Sequence, residues 1–115
     1  MIKIYGIKNC DTIKKTLKWF DDNNIAYDFI DYKKTDVDMG VIKRAMDQHG
    51  WDAVINRKSQ TWRTITDEAK TNMSREDAEI LADSKPSVIK RPMIDTGKDI
   101  VLGFDSHKYD SIFKG

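Results

Sequence analysis

The sequence predicts an α/β protein with a mixed sheet, because strand-like and helix-like patterns alternate at both ends of the chain. Near the start, an alternating segment, a helical period and a second alternating segment follow one another. Near the end, two short apolar segments flank a turn and precede a last helical period. The middle, at about residues 36–84, is helical. Because 115 residues suffice for one domain, we expect a single domain, 1–115, with this helical insertion.

The first three elements form a strand–helix–strand unit. The predicted bounds are Ile2–Tyr5 for the first strand, Asp11–Asn23 for the helix and Ala26–Tyr32 for the second strand. The apolar face of the helix recurs at i, i+4 and i+7 and consists of Ile13, Leu17 and Phe20. Units of this kind normally pair their strands in parallel through a right-handed crossover.

The helical middle begins with a helix that Asp36 or Asp38 can cap. A second long helix starts at Ser74, where an acid three residues later, Asp77, completes the pattern of a capping box. Between these helices the pattern predicts short helical turns and, at residues 57–66, a polar loop.

The C-terminal part is predicted to contain a hairpin and a helix. Met93-Ile94 and Ile100–Leu102 are short apolar segments separated by the turn signal Thr96-Gly97-Lys98, which indicates antiparallel pairing. Asp105-Ser106 can cap the final helix. We expect the apolar face of this helix to consist of Tyr109, Ile112 and Phe113.

Composition argues against several classes of function. The formal net charge of +1 does not provide the field that nucleic-acid binding needs, and no apolar run approaches the roughly 18 residues of a membrane helix. His49 and His107 are too far apart to suggest a metal site. There is one cysteine, so an internal disulfide is impossible, and a lone exposed thiol best fits the reducing cytoplasm.

Cys10 is the residue that carries chemistry. It follows the first strand and opens the first helix, where free N–H groups and the helix dipole stabilise an anion. The N–H groups of Asp11 and Thr12 can bind a thiolate or substrate oxygen atoms, and Lys8 and Lys14 add positive charge. A thiolate is the reactive form of cysteine. The alternative is a buried structural cysteine that acts as a small apolar residue.

A single reactive cysteine has no partner that could resolve its own mixed disulfide. An external small thiol must do so, and glutathione is the usual cytoplasmic candidate. We therefore expect glutathione as a co-substrate of a monomeric protein, with no bound cofactor and no metal, and a small-molecule or protein-thiol substrate.

Three arginines fall in predicted loops, and arginine binds carboxylates and oxyanions through its forked guanidinium group. We select Arg57 and Arg91, together with Lys8, as residues that bind substrate or glutathione, and regard Arg63 as a surface residue. In the predicted sheet, Pro92 lies before the third strand and faces the helix start. A cis proline there would expose a backbone edge to an extended thiol-bearing ligand.

Four segments of the sequence resemble the ArsC family of arsenate reductase-related proteins. The active-site segment of that family is similar to YGIKNCDTIKK, from Tyr5 to Lys15. Its YffB branch also shows a W…NR…TWR segment like Trp51 to Arg63, a KRP segment like Lys90 to Pro92 and an LGF segment like Leu102 to Phe104. The resemblance covers nearly the whole chain and implies a thioredoxin-like fold with a helical insertion. For this branch it implies a glutathione-dependent thiol reductase.

The resemblance also implies roles for particular residues. In the arsenate reductases of the family, a single cysteine attacks arsenate and glutathione releases arsenite from the adduct. The matching cysteine is Cys10, the arginines around the oxyanion match Arg57 and Arg91, and Lys14 stands where the reductases carry an arginine.

Two positions depart from the arsenate reductases. Gly6 stands where the reductases carry a histidine. The reductases also carry a third arginine late in the chain, near the position of Gly103, and this sequence has no arginine that matches it. Arsenate reduction with glutathione and glutaredoxin is therefore the second hypothesis. A third is a polymerase-binding regulator like the Spx proteins of the family, although Ile13 stands where redox-sensing Spx proteins have their second cysteine.

Overall fold

The computed structural model describes residues 1–114, which divide into two compact units. The first unit consists of Met1–Asp31 and the chain from Arg91 onward, and the second unit consists of Tyr32–Lys90. The helical segment predicted at about residues 36–84 lies inside the second unit. The α/β class is confirmed, and the single-domain organisation stays a prediction.

The first unit is built on a mixed sheet. Within residues 1–114, its strands are β1 (Ile2–Gly6), β2 (Tyr27–Asp31), β3 (Met93–Asp95) and β4 (Ile100–Leu102). They lie in the order β2-β1-β3-β4. Strand β1 pairs in parallel with β2 and antiparallel with β3, and β3 pairs antiparallel with β4. The predicted parallel unit and the predicted hairpin are thus both present, joined edge to edge through β1 and β3.

Helix α1 (Asp11–Asp22) connects the two parallel strands. Ile13 and Phe20 are fully buried, and Leu17 packs against the core, as their spacing predicts. The helix ends at Asn23, whose side-chain amide donates to the carbonyl of the preceding turn. Full burial of side chains of this size stabilises the fold by about 1.5–3 kcal/mol each.

Tyr109 is the centre of an aromatic cluster in the first unit. Its ring is fully buried, and the ring centroids of Trp19, Phe104, Phe113 and Phe20 lie 5.2, 5.3, 5.6 and 5.9 Å away. All four contacts are edge-to-face, the arrangement that aromatic quadrupoles favour. The cluster therefore fixes the C-terminal helix against α1.

That C-terminal helix begins as predicted but winds differently at its end. Asp105 caps α7 (Ser106–Tyr109), and the chain continues as a π-helical turn over Asp110–Lys114. Phe113 packs against the core, whereas Ile112 is 47% exposed. The prediction that Ile112 faces inward is wrong, because a π-helical turn is wider than an α-helical one and a three-residue step no longer returns to the same face.

The second unit is helical. Its elements are α2 (Met39–His49), α3 (Trp51–Val54), α4 (Gln60–Arg63), α5 (Asp67–Thr71), α6 (Arg75–Ser84) and a 3-10 turn (Pro86–Val88). Asp38 caps α2, where its carboxylate accepts from the N–H of Gly40 at 3.0 Å. Ser74 and Asp77 form the predicted capping box at the start of α6. Both predicted helix starts are confirmed.

The predicted polar loop at residues 57–66 is partly wrong, because it contains the single turn of α4. The hydroxyl oxygen of Ser59 accepts from the N–H of Trp62 at 3.2 Å and so caps this turn. Trp62 is 8% exposed, and the ammonium group of Lys70 lies 5.6 Å from its ring centroid. Burial of the indole ring stabilises a turn whose neighbouring residues are polar.

Small side chains line the contact between α2 and α6. Ala45 on α2 and Ala78 and Ala82 on α6 are fully buried, as is Ile42. Because alanine side chains let helix backbones approach closely, the two longest helices of this unit pack directly together.

Candidate active site

Cys10 is the N-cap residue of α1. Its backbone is extended, with φ −126° and ψ 128°, and its carbonyl accepts the first helical hydrogen bond from the N–H of Lys14 at 3.0 Å. The N–H groups of Asp11, Thr12 and Ile13 precede the first helical donor, so they have no acceptor within the helix. Within residues 1–114, the half-buried thiol makes no capping hydrogen bond. The half-buried Cys10 thus lies at the positive end of a 12-residue helix.

Pro92 lies beside the end of β1. Tyr5 pairs with Met93 across the β1–β3 ladder, so one further step of the antiparallel register brings Pro92 opposite Gly6. The Arg91–Pro92 peptide bond is cis, as the sequence suggests, and Pro92 is buried. The strand register therefore places this proline at the edge of the sheet from which the loop to Cys10 starts.

Three cations of the first unit have no acidic partner. Lys8 and Lys14 are exposed and Arg91 is half-buried, and none of them forms an ion pair with any residue of the described range 1–114. Lys18, one turn beyond Lys14 on the same helix, is different because its ammonium group contacts Asp22 at 2.8 Å. Positive charge near the helix start is thus free to attract an anion.

Two of the residues selected with Cys10 belong to its helix. Asp11 is exposed in the first turn, and Thr12 is half-buried in the same turn. Both contribute N–H groups at the helix start, whereas the Asp11 carboxylate adds a negative charge there. That the N–H groups of Asp11 and Thr12 bind an anion stays a prediction.

Arg57 belongs to the second unit. It is exposed in the loop after α3, and the neighbouring Asn56 is held by a hydrogen bond from its N–H to the carbonyl of Val88 at 2.7 Å. Arg57 therefore lies in a different unit from Cys10, and its place in the site stays a prediction. Arg63 is exposed at the end of α4, in agreement with its interpretation as a surface residue.

The side chain of a core residue, Ile13, fills the space beside Gly6. A Cβ atom at Gly6 would lie 3.0 Å from Cγ1 of Ile13 and still closer to Cδ1 of the same residue. Ile13 is fully buried, so it has little room to move aside. A histidine at this position would therefore have to displace the buried Ile13 side chain, which disfavours it.

Gly103 has a backbone that favours glycine. Its φ is +78°, in the left-handed region where an arginine would be strained. Gly6 and Gly103 therefore both lie where the local structure of this chain disfavours a larger side chain.

A buried polar contact beneath the helix start is not apparent from the sequence. Thr16 is fully buried, and its hydroxyl group donates to the carbonyl of Thr12 at 2.7 Å. The Tyr109 hydroxyl donates to the carbonyl of Gly103 at 2.6 Å, and burial raises the pKa of Tyr109 to about 12. The only sequence signal is a polar residue, Thr16, on the apolar face of α1.

A separate cavity of about 410 Å³ lies between α5 and α6 in the second unit. Its lining is largely apolar and contains none of the sequence-predicted site residues. Among residues 1–114, no three His, Cys, Asp or Glu side chains come together as metal ligands would. Nor does this part of the chain contain a helix that is long and apolar enough to cross a membrane.

A single cysteine at a helix start, on a mixed sheet of the order β2-β1-β3-β4, defines the class of thiol-based oxidoreductases with a thioredoxin-like fold. A model of the ArsC family matches residues 5–112. The chain therefore belongs to the ArsC family.

Individual relatives are similar over nearly the whole chain. The structure of the YffB protein is 37% identical, with a TM-score of 0.92, and the match covers 96% of this chain and 97% of that one. An arsenate reductase (ArsC) related protein from Brucella melitensis is 35% identical, with a TM-score of 0.78, and the match covers 99% and 95% of the two chains. An uncharacterized protein of Haemophilus influenzae is 38% identical over 113 residues, 98% of this chain and 99% of its own.

The contact between Gly6 and Ile13 predicts a coupled effect on stability. Gly6→Ala should reduce the free energy of unfolding by about 1–3 kcal/mol, the usual cost of an overpacked core. Ile13→Val removes the Cδ1 atom that meets the new methyl group. In the double variant, the cost should therefore be smaller than the sum of the two single costs, as measured by urea unfolding. Strict additivity would show that Ile13 does not close the space at Gly6.

Proposed function

We propose that this protein is a glutathione-dependent thiol reductase whose nucleophile is Cys10. The observation that carries the proposal is the position of Cys10, half-buried at the N-terminus of α1 with its thiol unused by the fold. Membership of the ArsC family supports thiol chemistry. The single cysteine supports an external thiol as the reductant.

The reaction takes place in two exchanges. The Cys10 thiolate attacks the glutathione sulfur of a glutathionylated substrate, the disulfide bond breaks, and the substrate leaves as a thiolate that takes up a proton. A second glutathione, as thiolate, then attacks the sulfur of the glutathione bound to Cys10. This step releases glutathione disulfide and restores the Cys10 thiolate, so one free glutathione thiol is consumed for each glutathionylated substrate reduced, and the other half of the glutathione disulfide comes from the substrate.

The surrounding residues have distinct roles in this proposal. The N–H groups at the start of α1 and the charge of Lys14 stabilise the thiolate. Arg91 and Lys8, which have no acidic partner in residues 1–114, bind the carboxylates of glutathione. Pro92 shapes the backbone edge along which the ligand lies. Arg57 is a further carboxylate-binding candidate, and glutaredoxin is a candidate for removing the glutathione from the adduct.

The cellular setting is part of the proposal. We expect a monomer in the cytoplasm, because the mechanism needs a single chain and a supply of reduced glutathione.

Arsenate reduction is the competing activity, because the Brucella melitensis relative is described as related to arsenate reductase. Arsenate is a compact oxyanion that needs several cations around it. Ile13 occupies the space in which a side chain at Gly6 would lie, and the backbone at Gly103 disfavours an arginine. These two features favour a thiol-bearing ligand over arsenate.

The role of Lys14 is tested by the rate at which purified protein reduces a glutathionylated peptide. Lys14→Ala should slow the reaction about 2- to 5-fold at low ionic strength, the effect of one charge near a helix terminus. Lys18→Ala is the matched control, because Lys18 lies one turn further on the same helix and is paired with Asp22. Its rate should equal that of the wild type.

Cys10→Ser must abolish the same reaction. Reduction that persists in this variant would refute the proposed function. Equal losses in the two lysine variants would refute the specific role of Lys14 while leaving Cys10 as the nucleophile.

A second measurement separates the two activities. The wild-type protein should reduce the glutathionylated peptide with glutathione alone, but it should form no arsenite from arsenate above the Cys10→Ser background even when glutathione and glutaredoxin are both present. Arsenite formation that depends on Cys10 would instead establish arsenate as a substrate, and the interpretation of Gly6 and Gly103 would be wrong.

A further inference from the structure

A path of two hydrogen bonds leads from the core of the first unit to Pro92. It begins at the hydroxyl group of Tyr109, whose side chain is fully buried. That hydroxyl group donates to the carbonyl of Gly103 at 2.6 Å, and the N–H of Gly103 donates to the carbonyl of Pro92 at 2.9 Å.

This path ends at the proline segment of the proposed site. Pro92 lies where β3 begins, beside the end of β1. The sheet alone does not fix the turn that joins β4 to α7, because Leu102 is the last residue of β4 and Gly103 follows it.

Tyr109 is the one member of the path that joins the turn to the core. Its ring is fully buried in the aromatic cluster, so the position of its oxygen atom is determined by packing. The oxygen then fixes the Gly103 carbonyl, whose residue has the left-handed φ of +78°. Gly103 has no side chain with which to pack, so hydrogen bonds hold its part of the backbone.

We propose that Tyr109 is a positioning residue for the chemistry of Cys10. Its hydroxyl group holds the Gly103 turn, and the Gly103–Pro92 hydrogen bond passes this constraint to the backbone edge that receives a glutathionylated substrate. This inference rests on the proposed function and extends it to a residue that contacts neither the thiol nor the ligand. Buried tyrosine is well suited to the task, because it keeps its proton at neutral pH and can donate throughout the working range.

Tyr109→Phe tests the proposal, because it removes one oxygen atom and retains the ring. The KM for a glutathionylated peptide should rise about 3- to 10-fold, the size expected for the loss of one intramolecular hydrogen bond. Alkylation of Cys10 by iodoacetamide, a small neutral reagent that needs no backbone edge, should change by less than about twofold. Tyr27→Phe is the matched control, because its hydroxyl group lies in the same unit and contacts the exposed Asp21 at 3.1 Å.

Amide hydrogen exchange provides a measurement that does not depend on activity. Exchange at the N–H of Gly103 should accelerate about 3- to 10-fold in Tyr109→Phe and not in Tyr27→Phe. An unchanged KM, or a fall in alkylation that matches the loss of activity, would overturn the proposal by showing no role or a merely structural one.

The two proposals fail in different ways. If the wild-type protein reduces no glutathionylated peptide, the proposed function is wrong, and unaltered exchange at Gly103 would then reject the role of Tyr109 as well. If the wild type is active and Tyr109→Phe behaves like Tyr27→Phe in both measurements, only the role of Tyr109 is wrong.

Discussion

Strand β1 pairs along both of its edges, and this double pairing determines where the chemistry-bearing residues of the first unit lie. Its parallel partner β2 requires a crossover helix, and the start of that helix holds Cys10. Its antiparallel partner β3 runs the other way, so β3 begins where β1 ends. The pairing of β1 with β3 therefore places Pro92 at the same end of the sheet as the end of β1, where the loop to Cys10 begins.

The residues near the end of β1 and after β4 also affect which ligand the proposed site can bind. Ile13 seals the end of β1 at Gly6, and the left-handed backbone at Gly103 disfavours a long side chain there. Of the cations without acidic partners in residues 1–114, Lys8 and Lys14 lie on either side of the helix start in sequence, and Arg91 lies just before β3. Under the proposed function, these features select an extended, carboxylate-bearing thiol compound over a compact oxyanion.

Much of this could be predicted from the sequence, because local signals agree with the fold. The spacing of Ile13 and Phe20 and the cap at Ser74 describe interactions within a few residues, and the structure confirms them. The short helix at Gln60–Arg63 was not predictable, because the burial of the Trp62 indole ring stabilises it. The outward orientation of Ile112 was not predictable, because it results from a π-helical turn. The hydrogen bond between Tyr109 and Gly103 was not predictable either, because it depends on the conformation of the turn between them.

The most direct test of the account is a titration of the protein with reduced glutathione followed by amide NMR. Chemical shifts should change at residues 10–13 and 91–93, where the helix start and the proline segment lie. A further change is expected at Arg57 if its side chain binds glutathione. Cys10→Ser should retain the binding shifts, because the carboxylate contacts do not involve the thiol. Absence of shifts at these segments, or shifts confined to the cavity between α5 and α6, would contradict the assignment of glutathione to this site.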